Sequence, residues 1–260
     1  MTYSPYNHDG TCKSSSSVSS DISSIASKGF TSIRLYSTDC SGLSSVGTAA
    51  SFHNISLVLG IYIPHTGISN ARAQIGEITS WATSSNSWAS VEMIVVGNEA
   101  VFNNFCSPSD LARFITDARS AFTKAGYSGP VTTTEPLSII VQHATTLCPV
   151  LDLAAANIHP FFNSAIDASS AGAFVASELV VLAKICPGLE AYNLETGWPS
   201  AGEANGAAVP GKKEQEVAVR GIVASAGGRS AVFSFVDDLW KEERDFGVER
   251  SWGAGHLFGS

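Results

Sequence analysis

Charge is scarce in this sequence. Only 15% of its 260 residues are Asp, Glu, Lys or Arg, the formal net charge is −8, and Lys and Arg form no run. Nucleic acid and anionic membrane both require clustered positive charge, so neither is expected as a partner. Long apolar runs are lacking too, and no stretch reads as the roughly 18 apolar residues of a spanning helix. The five cysteines form no Cys-x-x-Cys pair and no His lies at metal-ligand spacing, so zinc is disfavoured and no metal or cofactor is expected. No Gly-rich phosphate loop follows the first apolar run. The nearest candidate, Gly253-Ala254-Gly255, lies at the C-terminus with no helix after it. A leader is not visible either. Met1 runs directly into Thr2-Tyr3-Ser4-Pro5, which already reads as folded protein, so a mature domain with its leader removed is expected.

What the sequence does have is rhythm. Short apolar runs occur at 2–3, 32–36, 57–63, 91–96, 131–133, 154–158, 190–194 and 231–236. Their centres lie about thirty residues apart, the length of one βα unit. Near-continuous apolar runs suit parallel strands covered on both faces. Helical patterns fill the gaps. Val18, Ile22, Ile25 and Ala26 share a face, as do Leu111, Phe114, Ile115, Ala118 and Phe122, while Val217, Ile222, Val223 and Ala226 mark a later helix. Ser107, Pro108 and Asp110 start the second of these, and Gly126 stops it. The serine-rich stretch 14–20 reads as a helix start rather than a linker. Eight strands alternating with helices, over a length close to the roughly 250 residues typical of that fold, predict an α/β chain forming a single (β/α)8 TIM barrel over 1–260. Its chemistry is then expected at the C-terminal face of the strands.

Two of those strand ends carry carboxylates. The fourth run leads into Val96-Gly97-Asn98-Glu99, and the seventh into Leu194-Glu195-Thr196-Gly197-Trp198. A pair of carboxylates at one barrel mouth is what glycoside cleavage needs, one to protonate the leaving oxygen and one to handle the oxocarbenium-like centre. Either Glu alone could be half of a rim salt bridge; the pair together points to catalysis.

Here the residues carry a resemblance. Val96-Gly97-Asn98-Glu99, Asn157-Ile158-His159-Pro160-Phe161-Phe162 and Glu195-Thr196-Gly197-Trp198-Pro199-Ser200 resemble the signature segments of family 17 glycoside hydrolases. Tyr3-Ser4-Pro5-Tyr6 to Cys12-Lys13, Ile33-Arg34-Leu35-Tyr36 to Asp39-Cys40 and Phe233-Ser234-Phe235 to Trp240-Lys241 resemble the fungal cell-wall branch, whose members are β-1,3-glucanosyltransferases and endo-β-1,3-glucanases. The resemblance implies a retaining enzyme with Glu99 as general acid/base and Glu195 as nucleophile, carboxyl groups about 5–5.5 Å apart, and Asn98 on the sugar 2-hydroxyl. It also implies β-1,3-glucan or laminari-oligosaccharides as partner and a secreted or cell-wall location. A monomer is expected.

The remaining site candidates follow from position. Arg34 would keep Glu195 ionised, its other reading being a partner of Asp39. Tyr36, Phe161, Trp198 and Trp240 lie near strand ends where rings can stack on sugars, Trp198 foremost. Phe161 and Trp240 could equally be packing residues. Tyr6 and Asn7 could hydrogen-bond sugar hydroxyls. Asp237 and Lys241 are carried over from the family's last loop, although Asp237-Asp238-Leu239-Trp240-Lys241 departs from the plant pattern. His159 reads as structural. Cys12 and Cys40 follow the first two strands on one rim, and Cys148 and Cys186 precede the sixth and seventh on the other, so these two disulfides are expected with Cys106 left free. Five thiols in a cytosolic protein is the competing reading. The triplet Asn54-Ile55-Ser56 fits glycosylation and secretion. Transfer to another glucan is the favoured outcome, hydrolysis the runner-up. A non-catalytic sugar-binding barrel and a disulfide-held wall protein remain as other classes.

Overall fold

The computed structural model describes residues 1–259. Seven parallel strands form one sheet in sequence order: β1 (Ser32–Arg34), β2 (Ser56–Ile61), β3 (Val91–Asn98), β4 (Val131–Pro136), β5 (Ala154–Asn157), β6 (Ala191–Thr196) and β7 (Ser230–Val232). The first expected strand, at 2–3, is reduced to one bridge. Thr2 pairs in parallel with Arg34 and its amide donates to the Val232 carbonyl at 2.9 Å, while the Phe235 amide donates to the Thr2 carbonyl at 3.2 Å. The segment Met1–Tyr3 therefore lies between β1 and β7 and nearly closes the barrel. It is too short to propagate a ladder, because Pro5 cannot donate and the chain turns off at once.

Alternation along each strand builds two cores. Val58, Met93, Val95, Leu153, Ala155 and Leu194 point inward and fill the barrel. Leu57, Leu59, Ile61, Ile94, Val96, Ala154 and Ala156 point outward under the helices. This is the period-2 geometry of a strand, with both faces buried.

The helical coat is α1 (Ser15–Ser27), α2 (Gly42–Phe52), α3 (Ala73–Ser84), α4 (Pro108–Lys124), α5 (Leu137–Gln142), α6 (Ala144–Leu147), α7 (Ala171–Ile185) and α8 (Lys212–Ala226). Ser14 caps α1 by accepting from the Ser17 amide, and Ser107 caps α4 by accepting from the Asp110 amide. The α4 stripe is buried as read. On α8 the burial runs through Ala218, Val219, Ile222 and Ala226, while Val217 and Val223 face solvent, a correction to that helical face. The stretch Ala168–Ile185 is apolar and long enough to cross a membrane on length and composition alone, contrary to the expectation that no such run exists. In this fold it packs along β5, β6 and α8.

Disulfides join Cys12 to Cys40 and Cys148 to Cys186, and Cys106 is free. Each pins neighbouring units on one rim. Two disulfides suggest an extracellular chain that matures under oxidising conditions.

Candidate active site

The mouth is shaped by irregular strand ends. Register shifts occur in β3 before Asn98, in β5 before Asn157 and in β6 between Asn193 and Thr196. Such bulges re-aim side chains that a regular pleat would send into the core. In β3 the cause is local: Gly97 sits at φ 83°, a conformation that disfavours any Cβ. Glu99 follows at φ 53°, a left-handed backbone costing roughly 1 kcal/mol for a side-chain-bearing residue. It is held there by its amide on the Thr134 carbonyl at 2.9 Å and by the Asn103 amide and carboxamide on its own carbonyl at 2.9 and 2.8 Å.

Glu195 is the centre of converging donors. Tyr36 Oη donates to Oε2 at 2.6 Å and Arg34 Nη1 lies 3.4 Å from the same oxygen. His159 Nε2 lies 3.1 Å from Oε1. An ionised carboxylate only accepts, so His159 carries its proton on Nε2. Burial acts to raise the Glu195 carboxyl. The hydrogen bond and charge of His159, then Arg34 and Tyr36, outweigh it and hold the group at about 2, below its usual 4.5.

Arg34 is fixed in turn. Its Nη2 donates to Asn98 Oδ1 at 2.7 Å, its Nη1 to the Leu194 carbonyl, and its guanidinium lies over the Tyr36 ring at 4.6 Å. Asp39 has other partners, Tyr6 Oη at 2.6 Å and Ser37 Oγ at 2.5 Å. The alternative Arg34–Asp39 pairing is thus absent from the ion pairs of the described residues.

Glu99 has a different setting. Burial is the main cause raising its carboxyl, followed by the negative charge of Glu195. Its one side-chain donor is Asn157 Nδ2, at 2.9 Å from Oε1. Asn157 also donates to Asn98 Oδ1 at 3.0 Å and accepts from Thr134 Oγ1 at 2.9 Å. Asn98, Glu99, Asn157, Glu195 and Arg34 thereby form one connected network.

Behind Glu99 stands a third carboxylate that the sequence reading missed. Glu135, 0% exposed, accepts from the amides of Val101 and Phe102 at 2.8 and 3.1 Å. Burial pushes it up to about 7, against those backbone hydrogen bonds. It anchors the turn that carries Glu99. Asn157 and His159 were also missed as partners of the carboxylates. Both lie within the Asn157-Ile158-His159-Pro160 segment, whose recurrence as a motif was the available signal. The sequence marks Glu135 only as one acid in Thr134-Glu135-Pro136, with nothing to show its backbone partners.

Several expected sugar contacts need correction. Trp198 is 0% exposed and donates its indole N–H to the Val209 carbonyl at 2.9 Å. Phe161 is 0% exposed and packs edge-on against Trp198 at 5.6 Å. Neither ring has a free face for a pyranose; Phe161 packs edge-on against Trp252 at 6.1 Å, and Trp252 meets His159 edge-on at 5.0 Å. Asp237 turns away from the mouth, accepting from the Gly253 amide at 2.7 Å. The buried Asp238 takes the place expected of it, 3.4 Å from Lys241 Nζ and 3.2 Å from Trp240 Nε1. Lys241 Nζ lies over the Phe233 ring at 4.3 Å, and Trp240 meets Tyr6 edge-on at 4.9 Å. Tyr6, Trp240 and Lys241 thus make a half-open wall beside the Cys12–Cys40 bridge. Asn7 binds its own loop, donating to Thr11 and to the Cys12 carbonyl.

Known proteins resemble this chain in sequence and in fold. Residues 1–253 match the model of the BtgE/BtgC glycoside hydrolase domain. The chain is 51% identical over 258 residues to a protein of Aspergillus fumigatus described as probable beta-glucosidase btgE, covering 99% of this chain and 45% of that protein. It is 43% identical to the Emericella nidulans protein of the same description, over 97% of this chain and 46% of that one. It therefore spans less than half the length of these relatives. In fold it matches a glycoside hydrolase family 17 β-1,3-glucanosyltransferase from Rhizomucor miehei, TM-score 0.83, 19% identity, covering 97% of this chain and 91% of that one. An endo-laminarinase from Formosa Hel1_33_131 matches with TM-score 0.79 at 15% identity, over 97% and 81%. The match over 1–253 and the 51% identity over nearly the whole chain make this chain a member of the BtgE/BtgC glycoside hydrolase domain family.

Proposed function

We propose that this domain cleaves β-1,3-glucan with retention of configuration and passes the glycosyl unit to another glucan chain. The observation that carries this reading is the opposite electrostatic treatment of the two mouth carboxylates: Glu195 held at about 2, Glu99 raised. A nucleophile must be ionised and an acid protonated at the same pH, and that split supplies both.

Glu195 attacks the anomeric carbon while Glu99 protonates the departing glycosidic oxygen. The ester removes the charge of Glu195, and with it one of the two causes raising Glu99. Glu99 then ionises more readily and takes the proton from the acceptor hydroxyl. Asn98, steadied by Arg34, faces the sugar 2-hydroxyl. Tyr6, Trp240 and Lys241 line the groove. Hydrolysis differs only in the acceptor, water in place of sugar, and the relatives' name, probable beta-glucosidase, describes a third product pattern. The two disulfides support action outside the cell, which fits a wall polysaccharide substrate.

The deciding experiment sizes products over time on a laminari-oligosaccharide and reads their anomeric form by proton NMR. Early products longer than the substrate, with β configuration, are expected. Shorter products alone would replace transfer with endo-hydrolysis, and glucose alone with exo-cleavage. An α product would remove the retaining mechanism.

A further inference from the structure

The whole sequence contains one Asn-x-Ser/Thr triplet, Asn54-Ile55-Ser56. It lies in the turn between α2 and β2. Helix α2 ends at Phe52, and Asn54 adopts φ 53°. The Asn54 amide donates to the Ser51 carbonyl at 3.3 Å and the Ile55 amide to the Ala50 carbonyl at 2.9 Å. This is the paired closure of a helix through a left-handed residue, with the following apolar side chain, Ile55, buried against the helix. Asn suits that conformation, so the cap by itself explains an asparagine.

The cap uses only backbone. The Asn54 side chain is exposed, and its carboxamide has no hydrogen bond to the protein among the described residues. Two positions earlier Phe52 is 82% exposed, more than any other large apolar side chain described. His53 meets it edge-on at 5.0 Å, leaving a ring face open to solvent. Neither the cap nor the core requires an aromatic there. Both disulfides mark a chain that passes through an oxidising compartment, where N-glycosylation also takes place.

We propose that Asn54 carries an N-linked glycan whose first sugar covers the Phe52 ring. The donor is an oligosaccharide carried on a lipid pyrophosphate. Asn54 Nδ2 bonds to its anomeric carbon and gives up one proton; the carbon–oxygen bond to phosphate breaks, and the lipid pyrophosphate leaves with that electron pair. Ser56 completes the recognition triplet. The apolar face of the pyranose takes the place of water over Phe52, fixing the glycan at its root. The turn precedes β2, so it lies at the end of the barrel opposite Glu99 and Glu195. The glycan leaves the sugar groove open, and the site is independent of the catalytic reading.

Four proteins secreted from yeast test this: wild type, Ser56→Ala, Phe52→Ser and the double variant. Intact mass and glycopeptide mapping are expected to find glycan at Asn54 in wild type and Phe52→Ser, and none in either Ser56→Ala protein. Ser56→Ala is expected to lower Tm by about 2–4 °C when Phe52 is present. It should lower Tm much less when Phe52→Ser is already in place, which gives a coupling between the two positions. Asn54→Gly keeps the left-handed cap and removes the acceptor, so loss of glycan from a folded Asn54→Gly protein supports the site should Ser56→Ala disturb β2. Unmodified Asn54 in secreted wild type overturns the proposal. A glycan whose loss shifts Tm equally with and without Phe52 overturns its packing on the ring.

Discussion

Glu195 and Glu99 occupy one mouth and are built in opposite ways. Glu195 is set by distance in the chain: Arg34 and Tyr36 from the β1 segment and His159 from beyond β5 converge on it, and its charge is stabilised by long-range contacts. Glu99 is set locally. A bulged strand end at Gly97, a left-handed backbone and a short turn clamped by Glu135 place it, and only Asn157 donates to it. One side of the mouth concentrates donors to keep a negative charge. The other withholds them, and burial raises the Glu99 carboxyl above its ordinary value.

The largest effect expected from breaking this contrast is Glu195→Gln, which should lower kcat by about 10⁵-fold on every substrate, because an amide cannot form the ester. Steady-state rates on laminarin and on an aryl glucoside with a good leaving group check it. Glu99→Ala should lower turnover of laminarin by about 10³-fold, yet far less on the activated aryl glucoside, which needs no proton for departure. Equal losses on both would put Glu99 outside acid catalysis. Tyr36→Phe removes a hydrogen bond to a charged group and should lower kcat/KM by roughly 10-fold or more. It should also raise the acid limb of the profile. The wild-type acid limb is expected at about 2, since activity is lost as pH falls through the Glu195 value. The alkaline limb reports Glu99, because activity falls as pH rises and the acid loses its proton. It should lie above an ordinary carboxyl.

Glu135→Gln places an amide where two backbone N–H groups donate, and should cost roughly 10-fold on laminarin by loosening the Glu99 turn. That loss should be larger on laminarin than on the activated substrate, as for Glu99. The smallest effect is Trp198→Phe. It should destabilise by about 1 kcal/mol through the lost bond to the Val209 carbonyl, measured by thermal melting, and leave KM for laminari-oligosaccharides unchanged. A raised KM would return Trp198 to the sugar-contacting set.

The barrel was legible because seven of the eight strands announce themselves as apolar runs at a regular spacing, and because α1 and α4 carry capping serines. Ser107-Pro108 and the α4 stripe occur where the pattern put them. The two Glu residues were legible for the same reason, as acids ending apolar runs. Rings were not. Trp198 beside Glu195 reads as a stacking platform in sequence, but the chain turns there and tucks the indole beneath the mouth, where its N–H finds a carbonyl. The Asp237–Asp238 exchange has a similar origin: neighbouring residues in a loop point to opposite sides, and no periodicity says which. Glu135 was hidden because its partners are backbone amides from another segment, which carry no sequence mark.

The bridge at Thr2 has a bearing on how the protein comes into being. Its hydrogen bonds to Val232 and Phe235 mean that Thr2 waits for partners made much later in the domain. During synthesis the sheet must grow as an open, curling ribbon with β1 exposing an unpaired edge. Only when β7 leaves the ribosome can the two margins meet through Met1–Tyr3. Closure is then a late, long-range event, and a chain arrested before β7 is expected to be sticky rather than partly functional.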